Sequence, residues 1–312
     1  MRYLFIYLLN LGYVSNEVYS FNIHDNIFIK SSILNKNNVI TYARDKSVSD
    51  LISDNYAQIS SLSNLAPEFS NVTILRYILA YPNQPENIEQ AIINTLKWRE
   101  GEGKVIVNTA KEAVFNATID GTWNNDPIWT SAPHYHIIKQ FINEKNVLTL
   151  TNRNKDLIYI IKSNMINDNL MMSKLTIEQV SQFLAYVKEI HHIVVNKYSI
   201  ENDRLCKVIF VNDVSDIMRQ PNPEFSKALS VSSKEYEKYY PLLARETLIL
   251  NLPFILQAFV TLFKPLFPKS IQDSLIFRKA TYIKSVTQLT SLTENIEARN
   301  MFLDEIDSII NK

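Results

Sequence analysis

Glycine is scarce. The chain has four, at Gly12, Gly101, Gly103 and Gly121, and none beyond residue 121. Phosphate-cradling loops, dinucleotide fingerprints and nucleophile elbows need glycine to bring backbone close to a ligand or to make a strained turn. No such motif is present, which removes the commonest signals for nucleotide-dependent enzymes and serine hydrolases. Cysteine is rarer still. Cys206 alone excludes an intramolecular disulfide and a cysteine-rich zinc site, and its setting, Leu205-Cys206-Lys207-Val208-Ile209, reads as a packed strand. Net charge is lacking too: 32 Lys and Arg balance 32 Asp and Glu. No global attraction to nucleic acid is expected.

What is present is apolar. With 312 residues and 46% hydrophobic content the chain can build one large domain or two modest ones. Residues 1–20 place Arg2 before an apolar run from Tyr3 to Leu9 and end in a small residue, Ser20, as a signal peptide does. The following stretch is rich in Asn, Ser and Lys with Asp25 as its one acid, like a plastid transit segment. Residues 1–44 are therefore read as a leader. It implies the secretory pathway or a plastid; without it the protein is cytoplasmic and peripheral on membranes.

Helical periodicity begins near Ser47 and marks residues 45–110 as a small helical unit. Asn71 to Ala80 carries Val72, Leu75, Ile78 and Leu79. Pro85 suits a helix start, Ile88, Ala91, Ile92, Thr95 and Leu96 form one face, and Gly101 offers a stop. Gly103 to Asn125, with a helical turn at Lys111 to Ala117, reads as a hinge. Beyond it, Asp156 to Lys162 and Leu205 to Val211 are apolar runs suited to strands buried on two faces. Between them Thr176 and Gln179 form a capping box, with Leu175 and Val180 as its staple. Ile177, Val180, Leu184, Val187, His191 and Val194 then hold one helical face. A further helix from Pro223 to Tyr240 precedes a strand at Thr247 to Leu250. Strands separated by helices imply crossovers, and so an α/β fold with a mainly parallel sheet. Residues 281–312 read as a helical tail, apolar at Leu289, Leu292, Ile296, Phe302, Ile306 and Ile309.

Residues 246–277 are the unusual stretch. An Asn251-x-Pro253 turn leads into a helix with two apolar stripes, Phe254, Ile255, Ala258, Phe259 and Leu262 on one side and Leu256, Val260 and Phe263 on another. Periodicity alone favours a buried core helix. Its apolar run is shorter than the ~20 residues of a membrane span. Lys264-Pro265 breaks it, and a short strand near Leu275 follows. Lys264, Lys269, Arg278 and Lys279 read as a solvated rim or as contacts to anionic headgroups. Elsewhere, His134 and His136 lie at strand spacing and His191 and His192 on a helix. No third metal ligand is evident, and structural histidines are the favoured reading. Asp213 and Asp216 read as caps of the turn after a strand rather than as an acid/base pair. No catalytic residue, metal or cofactor is expected.

Taken in order, Leu75-Arg76-Tyr77, Trp98-Arg99, Asp213, Tyr240-Pro241, Asn251-x-Pro253 and Lys264-Pro265-Leu266 resemble the CRAL-TRIO (Sec14-like) lipid-binding family. The resemblance implies a CRAL-TRIO-like lipid-binding domain over 125–280, with an apolar ligand pocket. It assigns Phe254, Ile255, Ala258, Phe259 and Leu262 to the ligand, together with Tyr159, Ile161 and Phe210 from the strands. Leu256, Val260, Phe263, Lys264 and Lys269 become the membrane side of a gate. The implied function is non-catalytic binding and transfer of a lipid or hydrophobic small molecule, with a transient membrane surface as partner. A scaffolding module without cargo and a lipid-acting enzyme are the competing readings. Members that transfer phosphatidylinositol carry Glu after the Tyr-Pro and a Lys about ten residues beyond the Lys-Pro. Leu242 and Asp273 or Ser274 stand there instead.

Overall fold

A computed structural model describes residues 46–217, 219–254, 257 and 275–311. The leader and most of the segment from 255 to 274 lie outside the described residues.

Five helices come first: α1 (Val48–Asp54), α2 (Tyr56–Leu65), α3 (Asn71–Ala80), α4 (Pro85–Glu100) and α5 (Lys104–Ala117). The oxygen of Ser70 caps α3 by accepting from the Thr73 amide, and Pro85 opens α4 while Gly101 closes it. The stripe expected on α3 is too narrow. Every residue from Val72 to Leu79 is buried, because α1, α2, α4 and the long helix described below surround it. The turn expected at Lys111 to Ala117 is the end of a longer helix. Ile106, Ala110, Ala113 and Val114 of α5 join the main core rather than spanning open space. Gly103 lets this helix start close under Trp98, where a Cβ would stand 2.5 Å from the indole.

Two short helices, α6 (Asp126–Thr130) and α7 (Tyr135–Ile138), lead to β1 (Val147–Thr151) and β2 (Leu157–Lys162). His134 and His136 therefore do not sit on a strand. His134 takes a left-handed conformation at φ 59° after Pro133 and starts the single turn of α7. After β2 come α8 (Asp168–Met172), α9 (Ile177–Glu201), β3 (Val208–Asp213), α10 (Pro223–Tyr239), β4 (Ala244–Leu250) and β5 (Leu275–Arg278). The capping box of Thr176 and Gln179 is formed at the head of α9. The face predicted for α9 is only part of what it buries: Tyr186, Glu189, Ile190 and Asn196 are buried as well. A helix packed on a sheet and also on α3, α5 and α10 has little circumference left for water.

The sheet runs β1-β2-β3-β4-β5, with β1 antiparallel to β2 and the other pairs parallel. This is the mainly parallel α/β architecture expected, with β1 as an additional edge. β3 starts three residues later than its apolar run, and Leu205 packs instead with the N-terminal helices. Alternate strand residues feed two cores. Leu157, Tyr159, Ile161, Val208, Phe210, Ile249 and Leu275 face α5, α9 and α10. Ile158, Ile160, Ile209, Val211, Leu248 and Leu250 face α11 (Thr281–Ser285), α12 (Ser291–Glu294) and α13 (Ile296–Ile310). The tail thus packs on the sheet through Leu289, Leu292, Phe302, Ile306 and Ile309, while Ile296 is 71% exposed.

Candidate lipid-binding site

Two buried arginines tie the N-terminal helices to the sheet-bearing part. Arg76 on α3 donates through Nε to Asn196 Oδ1 (2.8 Å), through Nη1 to the Leu242 carbonyl (2.9 Å) and through Nη2 to the Cys206 carbonyl (2.7 Å). Leu242 holds φ 52°, which turns that carbonyl out of the chain's run after Tyr240-Pro241. Arg99 grips Glu189 with two parallel bonds of 2.9 Å, and Tyr240 donates its hydroxyl to the same carboxylate at 2.8 Å. Burial alone would raise Glu189, but Arg99 and these bonds hold it below the ordinary carboxylate range. Trp98 stacks on Tyr239 at 4.5 Å and meets Tyr240 edge-on. The Leu-Arg-Tyr, Trp-Arg and Tyr-Pro landmarks converge on this joint.

A second buried network lies at the C-terminal ends of the strands. Lys162 Nζ donates to Asp213 Oδ2 at 2.7 Å and to the Ile283 carbonyl at 3.0 Å. Asp213 Oδ1 accepts from the Ser215 amide and from Asn251 Nδ2 (3.0 Å). Asp213 thus caps the turn after β3, as its sequence setting suggests, and its other oxygen is taken by a lysine. Asp216, at φ 60°, is exposed and lies 3.5 Å from Lys284. The two carboxylates do not face a common substrate. Asn251, at φ 57°, accepts from the Ala280 amide through Oδ1 (2.8 Å), while its own amide donates to the Arg278 carbonyl (2.9 Å). One asparagine therefore ties the C-terminal end of β4, where the chain toward β5 departs, to the C-terminal ends of β3 and β5.

Tyr159, Ile161 and Phe210 are brought together on the face that carries α9 and α10. Tyr159 and Phe210 are opposite in register and meet edge-on at 6.0 Å. Tyr159 also meets His191 edge-on at 5.0 Å, so α9 covers part of this aromatic floor. Phe254 is 87% exposed. Ile255, Leu256, Ala258, Phe259, Val260, Leu262, Phe263, Lys264 and Lys269, along with Asp273 and Ser274, lie outside the described residues.

The histidines part company. His134 shares a 2.8 Å hydrogen bond with Gln182, His136 is exposed, and His191 is buried with Nε2 3.1 Å from Thr149 Oγ1. Burial first, and the nearby Lys188 charge second, lower His191 to about 3. Among the described residues no three His, Cys, Asp or Glu side chains converge as a metal site. No helix among them is long and apolar enough to cross a membrane. Cys206 is buried, and its thiol is pushed up by desolvation.

The CRAL/TRIO domain model matches residues 143–301. The chain belongs to the CRAL/TRIO family. A comparison with curated proteins returned no match. Among solved structures, the crystal structure of Sfh5 aligns at 13% identity and a TM-score of 0.40, covering 68% of this chain and 65% of that one. The chain thus spans just under two thirds of that relative. CRAL/TRIO proteins are generally non-catalytic and bind lipids or hydrophobic small molecules, and lipid binding in general is the activity this membership supports.

Sequence reasoning did not single out Lys162, Glu189, Asn212 or Ser163. Lys162 and Asn212 each follow an apolar run at the C-terminal end of a buried strand, and that change of polarity is the signal that points to them.

Proposed function

We propose that this CRAL/TRIO protein holds a lipid or other hydrophobic small molecule over the Tyr159, Ile161 and Phe210 face of its sheet and passes it to a membrane by opening of the segment from Pro253 to Phe263. The observation that carries the reading is the anchoring of the residue from which that segment departs: Asn251 is bonded to Asp213 and to Ala280, which holds the ends of β3, β4 and β5 together there. A segment that departs from a fixed point can swing without disturbing the strands held together at that point. Affinity would come from burial, about 0.8 kcal/mol for each methylene taken out of water, without a strong polar anchor. Phe254, exposed beside the turn, is available to a bilayer at the moment of opening. The sequence adds Leu256, Val260, Phe263, Lys264 and Lys269 to that contact. The helical unit of residues 45–110 serves as a clamp on the body through Arg76 and Arg99. The predicted leader would deliver the protein to the secretory pathway or a plastid.

The test is native mass spectrometry of the purified protein followed by lipid extraction. A reproducible co-purified apolar molecule is expected. A ligand-free protein that takes up no lipid from vesicles would favour a scaffolding module instead.

A further inference from the structure

The floor of the sheet contains one side chain that apolar packing does not explain. Asn212 is fully buried in β3, and neither its amide nitrogen nor its amide oxygen has a hydrogen-bond partner among the described residues. Strand alternation settles where it points. Val208 and Phe210 face α9 and α10, Ile209 and Val211 face α13, so Asn212 shares the face of Phe210. It stands in a row between Ile161 of β2 and Ile249 of β4, the partners of its register.

A second unpartnered group lies close by. Ser163 follows β2 directly, two residues beyond Ile161 and one strand over, and its buried hydroxyl also lacks a partner. Two strand residues span about 7 Å and neighbouring strands about 4.8 Å, so one small polar group can reach both side chains. Ser163 lines a cleft of about 240 Å³, shared with Ile166, Asp168, Ile217 and Arg219. Ile166 and Ile217 belong to the same core as Phe210, which places the cleft on Asn212's side of the sheet.

Leaving a buried amide unpaired is unfavourable, and native structures satisfy such groups with protein, water or ligand. The local charges indicate what kind of ligand. Arg219, the cation in the cleft's lining, already faces Asp168, and Asp216 adds a second carboxylate to that lining. A phosphate would find its positive charge already neutralised. An uncharged group that both donates and accepts would satisfy Asn212 and Ser163 together.

We infer that Asn212, with Ser163, reads an uncharged hydrogen-bonding group, such as a hydroxyl, on an otherwise apolar cargo. This rests on the proposed function, since it needs cargo on that face of the sheet. It makes the protein a selector for neutral polar lipids over hydrocarbons and over anionic headgroups.

The experiment titrates the protein with pyrenyldecanol, pyrenyldecane and pyrenyldecanoate and follows pyrene emission. The wild type is expected to bind the alcohol about fivefold or more tightly than the alkane, the effect of about one net hydrogen bond. In Asn212→Leu the ratio falls to about one while alkane affinity is kept, and Ser163→Ala lowers the ratio in part. Asn212→Leu is also expected to melt higher without ligand, since it removes an unpartnered amide; a lower melting temperature would contradict that premise. An unchanged ratio in Asn212→Leu, a wild-type ratio of one, or a preference for the carboxylate overturns the assignment and leaves lipid binding standing. Failure of all three probes to bind overturns both.

Discussion

Asn251 Nδ2 donates to Asp213 Oδ1 at 3.0 Å, linking the end of β4 to the end of β3. The carboxylate that receives it also neutralises Lys162, whose ammonium is almost fully buried. Replacing Asp213 with Ala strands that ammonium in the core, and breaking a buried pair in this way costs about 3 kcal/mol or more. Asn251→Ala removes two side-chain hydrogen bonds and places Ala at positive φ, so a loss of about 2 kcal/mol is expected. Urea unfolding of both variants checks this ranking. Equal, small losses would mean that the crossover is not anchored here.

Arg76 predicts a different failure. Its fork donates to four acceptors, two side chains on α9 and two carbonyls on the segments before β3 and β4, so Arg76→Lys keeps the charge and still loses most of the geometry. Arg76→Ala is expected to lower stability by about 3 kcal/mol, with Arg76→Lys close behind. If the lysine variant matched the wild type in denaturant titration, charge alone would account for the joint.

The pH dependence has a definite sign. His191 titrates near 3 in the folded chain against 6.5 unfolded. Below about 6.5 the unfolded chain takes up a proton that the folded one refuses, so stability falls with pH from there toward 3. The slope is at most about 1.4 kcal/mol per pH unit for one group. Glu189, held below its ordinary 4.5, acts the same way lower down: its contribution is present above that value and lost as pH falls through the folded one. His191→Phe should flatten the upper part of the profile, measured as melting temperature from pH 7 to pH 5. His192, lowered to about 4 chiefly by burial, adds to the same fall, and an unaltered slope in His191→Phe would assign the dependence to His192 instead.

Much of this architecture is legible from local signals. Leu157 to Lys162 reads as a strand because β-branched and aromatic residues run unbroken between polar flanks, and Thr176 with Gln179 announces α9 one residue before it starts. β1 escapes the same reading. Val147–Thr151 is short and alternates Val, Leu, Thr, Leu, Thr, which a loop-flanked edge strand shares with many irregular stretches. The stripe predicted for α9 packs on the core but is too narrow, because periodicity counts one apolar face only. Glu189 and Asn196 are buried by partners ninety and 120 residues away, which no local window contains. Asn212 is the instructive case: its polarity is plain in the sequence, while its burial among Ile161 and Ile249 depends on register across three strands. The family landmarks work for the same reason in reverse. Arg76, Arg99, Asp213 and Asn251 make the long-range bonds that local patterns cannot show.

The central claim is that a crossover between β4 and β5 gates cargo at a membrane, and transfer between vesicles tests it most directly. Donor liposomes carrying a fluorescent lipid, with a quencher that keeps it dark until it leaves, are mixed with acceptor liposomes and the protein. The wild type is expected to speed transfer. Phe259→Asp combined with Phe263→Asp should abolish that acceleration while circular dichroism and melting temperature stay as in the wild type. Transfer at the wild-type rate by the folded double variant would contradict the account.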